Sequence, residues 1–79
     1  MTIEVPSEAE LQFYYYMRGT CGSGTKALIT AIFALDVENR ERIAKGFPEL
    51  VSICNRYNTE SGFYDNLLKK IDNYYNSFE

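Results

Sequence analysis

Seventy-nine residues can enclose one hydrophobic core and not two. A single domain of this size is marginally stable alone and often gains by self-association. A formal net charge of −3, with eight scattered Lys and Arg residues, leaves no polycationic footprint for phosphate and speaks against nucleic acid. No apolar run approaches the ~20 residues of a membrane span.

The chain contains no His, so metal-ligand spacings and Cys/His or Ser/His nucleophile pairs are missing. No cofactor and no small-molecule substrate is therefore expected, and the protein is read as non-enzymatic. Glu38, Glu41 and Glu49 read as surface carboxylates on solvated helix faces. Cys21 and Cys54 lie far apart, with no signal peptide ahead of them. They read as free thiols of a cytoplasmic protein, Cys54 packing as a small hydrophobe. Seven Tyr and five Phe are the main capital of the chain, because each ring buries a large area.

In chain order, residues 1–6 form a short arm, mobile or draped over the domain. The run Ser7-Glu8-Ala9-Glu10 is a capping box that opens a first helix over 8–18. Gly19 closes that helix in the left-handed conformation. Gly19-Thr20-Cys21-Gly22-Ser23-Gly24 is glycine-rich and followed by Thr25-Lys26, yet it fails as a phosphate loop. Thr25 intervenes before Lys26, Ala27 stands where Ser or Thr is needed, and a helix precedes it instead of a strand. The stretch reads as a connector in which Ser23 or Thr25 caps the next helix.

The second helix, 24–35, carries Leu28, Ile29, Ile32, Phe33 and Leu35 and is apolar over most of its surface. Asp36 then reads as the cap of a separate third helix, 37–45, although one long bent helix fits the same residues. Asp36/Arg40, Glu38/Arg42 and Glu41/Lys45 are acid-before-base pairs at i,i+4 and mark a solvated face. Gly46-Phe47-Pro48 forms a turn into a fourth helix, 48–57, with Pro48 in the first turn, where its missing N–H is harmless. The last helix, 62–77, sets Phe63, Tyr64, Leu67, Leu68, Ile71, Tyr74, Tyr75 and Phe78 along one stripe. The expected fold is an all-α compact bundle of four to five short helices. Its core is Leu28, Ile32, Phe33, Ile43, Phe47, Leu50, Val51, Cys54, Phe63, Leu67, Leu68 and Ile71.

The pattern Leu35-Asp36-x-x-Asn39, Ile43-x-x-Gly46-Phe47-Pro48-Glu49-Leu50-Val51, Tyr57-Asn58 and Gly62-Phe63-Tyr64 covers about half the chain. It resembles a family of short uncharacterised all-helical proteins encoded in prophages and conjugative elements. The resemblance implies a mobile-element origin and carries no activity with it.

These readings converge on a protein-interaction module, binding a protein partner or itself as a homo-oligomer. The contact candidates are Tyr14, Tyr15, Tyr16, Tyr74 and Tyr75. Successive helical positions turn by about 100° each, so one core cannot enclose Tyr14, Tyr15 and Tyr16 together. An acidic phage-type inhibitor of a host defence complex is the alternative, by covering a basic surface. A helix-turn-helix built from 37–45 and 48–57 ranks below it, since the second helix offers only Glu49, Ser52, Asn55 and Arg56 to a groove.

Overall fold

A computed structural model describes residues 3–78 and shows five helices: α1 (Glu8–Arg18), α2 (Ser23–Ala34), α3 (Val37–Ala44), α4 (Pro48–Thr59) and α5 (Phe63–Asn76). The fold is all-α, as the sequence patterns require. Each boundary has a local chemical cause. At the start of α1 the Glu10 amide donates to Ser7 Oγ at 3.1 Å, and the Ser7 amide donates to Glu10 Oε1 at 2.9 Å. Gly19 ends the helix at φ 75°, a conformation that costs glycine nothing.

The cap of α2 differs from expectation. Gly22 takes the capping position and offers no side chain, while Ser23 is already helical and neither it nor Thr25 caps the helix. Asp36 does separate α2 from α3. Its backbone is extended at φ −71° and ψ 172°, and its Oδ1 accepts from the Asn39 amide at 2.9 Å. Pro48 occupies the first turn of α4. That helix runs past residue 57 to Thr59, whose hydroxyl donates to the Asn55 carbonyl at 2.9 Å.

Helix α4 is the hub, packed against α1, α2, α3 and α5, and α1 also meets α2 and α5. The molecule measures 42 × 26 × 20 Å. Phe13, Ile29, Ile32, Cys54 and Ile71 are the largest fully buried side chains, so α1, α2, α4 and α5 all reach the centre. Burial lifts the Cys54 thiol to about 11, which keeps it protonated and inert.

The expected core needs correction at three points. Phe47 stands at the N-cap of α4 and remains 50 % exposed, because the α3–α4 turn that carries it lies at the surface. Leu28, Phe33, Ile43 and Leu68 are only partly buried and line the outside of the core. Ala9, Phe13, Tyr14, Ile29 and Ile53 are buried beyond the expected set.

Arg40 is the other surprise. It turns away from Asp36 and donates Nε to the Ile32 carbonyl at 2.8 Å, Nη2 to the Phe33 carbonyl at 3.3 Å and Nη1 to Asn55 Oδ1 at 3.2 Å. A cation thus satisfies the open carbonyls at the C-terminal end of α2 and complements the negative end of its dipole. Of the three anticipated i,i+4 pairs, Glu38–Arg42 closes, at 2.9 Å.

Candidate protein-contact surface

Four of the five tyrosine candidates converge on one seam between α1 and α5. Tyr14 and Tyr15 are neighbours on α1 with ring centroids 5.3 Å apart, and Tyr74 and Tyr75 are neighbours on α5 at 5.5 Å. The hydroxyls of Tyr15 and Tyr75 hydrogen-bond across the seam, joining the two pairs. That bond raises the Tyr75 phenol above its ordinary value, because losing the proton would oppose a neighbouring hydroxyl oxygen.

Within this strip the rings differ in role. Tyr14 is buried, accepts from Arg18 Nη1 at 3.1 Å and lies under that guanidinium. Its part is to hold the strip in place. Tyr15 and Tyr75 are 37 % and 39 % exposed, with one face packed and the rest in solvent. Phe78 extends the strip: its ring meets Tyr74 edge-on at 5.0 Å and is 70 % exposed. In the sequence Phe78 lies on the apolar stripe of the last helix and is not among the contact candidates. Its i+4 spacing from Tyr74 was the available signal.

Tyr16 belongs elsewhere. It packs beside Phe13 at 6.2 Å and Phe33 at 6.4 Å, and its hydroxyl lies 3.4 Å from Thr30 Oγ1. Together with Tyr57 and Tyr64 these rings form an inner cluster centred on Phe13. A single residue step of about 100° therefore divides Tyr15 from Tyr16, as their angular spread demands.

Below the aromatic strip the same seam carries charge. Lys70 Nζ donates to both oxygens of Glu10, at 2.9 and 3.1 Å, and stands 3.6 Å from Glu4 Oε2. Burial alone would lift the Glu10 carboxyl, but the Ser7 amide and the Lys70 ammonium outweigh it and hold it below the usual carboxylate value. Lys70 is correspondingly raised, chiefly by its hydrogen bonds to Glu10.

The α3–α4 corner looks less like a DNA reader. Three of its four cations are engaged: Arg40 on α2, Arg42 on Glu38, and Arg56 on both oxygens of Glu60 at 3.0 and 3.2 Å, with its guanidinium 4.6 Å from the Phe63 ring centroid. The exposed side of α4 carries Glu49, Ser52, Asn55 and Arg56, and Glu49 would oppose a phosphate backbone. Among the described residues no cluster of His, Cys, Asp and Glu has metal-binding geometry, and no helix is long and apolar enough to cross a membrane. No protein-family model, curated protein or solved structure matches the chain.

Proposed function

We propose that this chain is a cytoplasmic, non-enzymatic protein-binding module that self-associates through the α1–α5 seam. The observation that carries this reading is the strip Tyr15, Tyr75, Tyr74 and Phe78, where apolar rings with polar tips stand side by side and half open. Tyrosine suits such a surface, since its ring contributes area and its hydroxyl accepts water when the partner leaves. Phe78 has no polar tip, and covering it removes apolar surface from water with nothing to desolvate in exchange. The small size of the domain gives self-association a second benefit, because a partner adds burial that one short chain cannot supply.

The test is the solution mass of the purified chain from micromolar to millimolar concentration. A concentration-dependent dimer or higher oligomer is expected, and Phe78→Ser with Tyr75→Ser should weaken it by about tenfold or more, as loss of two central anchors does. A monomer at every concentration would overturn the reading.

A further inference from the structure

Residues 3–6 precede α1 without helical structure, and their side chains are divided in an unusual way. Pro6 is buried against the domain and Glu4 reaches Lys70, yet Ile3 and Val5 are 41 % and 70 % exposed. Glu4 stands at the edge of a cleft of about 260 Å³ whose floor is Phe63 and Leu67 and whose rim is Glu10, Lys70 and Arg56. Of this arm, then, a polar residue has a partner in its own chain and the two apolar residues do not.

We infer that Ile3-Glu4-Val5 is an exchangeable strap: in the self-associated form it pivots about Pro6 and lays Glu4 on Lys70 of the second copy. The inference rests on the self-association reading and adds the residues by which one copy completes the cleft of the other. The occupant is identified by charge, since Glu4 of this same segment already lines the cleft edge and pairs with Lys70 within one chain. Exchange of an identical segment replaces each contact by its equivalent, so it costs little beyond bringing two copies together.

Geometry limits where the second copy can be. Val5 precedes a proline and is held extended, and three extended residues span at most about 10 Å. This is half the thinnest dimension of the molecule, 20 Å. The strap can cross only if the two α1–α5 seams face each other, and the aromatic strip on those same helices brings them together. In that arrangement Ile3 and Val5 gain the apolar cover they lack in a single chain. The hinge leaves α1 intact, because the Ser7–Glu10 capping box starts one residue after Pro6 and is the same in either form.

The experiment uses two populations of the full chain, one carrying Ile3→Cys, which leaves Glu4 free to pair with Lys70, and the other Asn66→Cys, both with Cys21→Ser. Asn66 lines the cleft and is exposed, so Lys70 and Glu10 stay in place, and the buried Cys54 remains unreactive. Mixing under mild oxidation should yield a disulfide-linked heterodimer at least roughly tenfold faster than Ile3→Cys mixed with Asn58→Cys, an exposed position outside the cleft, because the strap raises the local concentration. Equal rates in a chain that is otherwise a dimer overturn the strap and leave the aromatic interface standing. A wild-type chain that is monomeric throughout overturns both.

Discussion

Two groups of aromatic rings share helix α1 and differ in how many helices surround them. The inner group is Phe13 with Tyr16, Phe33, Tyr57 and Tyr64, drawn from α1, α2, α4 and α5, with each of these rings within 6.2 Å of Phe13. The outer group is Tyr14, Tyr15, Tyr74, Tyr75 and Phe78, contributed by α1 and the end of α5 alone. Ring chemistry is nearly the same in both, and the tilted and edge-on geometries are those aromatic pairs prefer. Enclosure separates their centres: four helices close over Phe13, which is fully buried although Tyr57 at the edge of its group is 38 % exposed, whereas α1 and α5 cover Tyr14 but leave Tyr15, Tyr75 and Phe78 open. The first group is therefore anchored in the fold, while Tyr15, Tyr75 and Phe78 of the second keep much of their surface in solvent.

The largest effect that sharpens this contrast is Phe13→Ala, which removes the fully buried hub of the inner group and should cost about 3–5 kcal/mol. Urea unfolding would read it, and in so small a domain the loss approaches the whole stability. Next comes Arg40→Met, which uncovers two carbonyls of α2 and should cost about 1.5–3 kcal/mol in the same assay. A loss below a few tenths of a kcal/mol would mean that water replaces the guanidinium freely.

A smaller effect belongs to the seam that joins the two groups. Glu10 titrates lower in the folded chain than unfolded, so its contribution is present above the ordinary carboxylate value and disappears as pH falls through the lowered one. Lys70, raised in the fold, loses its contribution only as pH rises through its own elevated value, far into the alkaline range. Thermal melting should therefore fall on acidification, and Glu10→Gln should flatten that dependence while lowering stability near neutrality. The smallest effect is expected of Phe47→Ala, about 1 kcal/mol, since half of the ring is already in water. A cost equal to that of Phe13→Ala would show that exposure fails to separate the two rings.

Helix boundaries were legible in the sequence because caps are local chemistry. Ser7 with Glu10, Gly19, Asp36 and Pro48 all act within a few residues of where they stand. The candidate surface was half legible, for the angular spread of Tyr14, Tyr15 and Tyr16 implies two destinations without saying which ring goes where. That choice depends on which helix arrives from elsewhere in the chain. Phe13 escaped notice for the same reason: its neighbour on the buried face one turn earlier is the small Ala9, which gives a weak apolar signal. Phe47 misleads in the opposite sense, being apolar at a turn that is only half covered. Arg40 fitted a local pair with Asp36, and only the return of α3 against α4 puts the end of α2 within its reach.

Helix α3 buries none of its residues fully and packs chiefly on α4. It is tied to the rest of the domain by the Arg40 hydrogen bonds to α2 and α4 and by Ile43 and Ala44, which rest on the core from outside. Such an element opens as a unit at a free energy well below that of the whole domain. Its amides should exchange with solvent deuterium earlier than those of α4, by openings that leave the Phe13-centred cluster closed. The chain would then contain a shallow second state in which the C-terminal end of α2 and the Val51 side of α4 meet water while the rest of the fold persists.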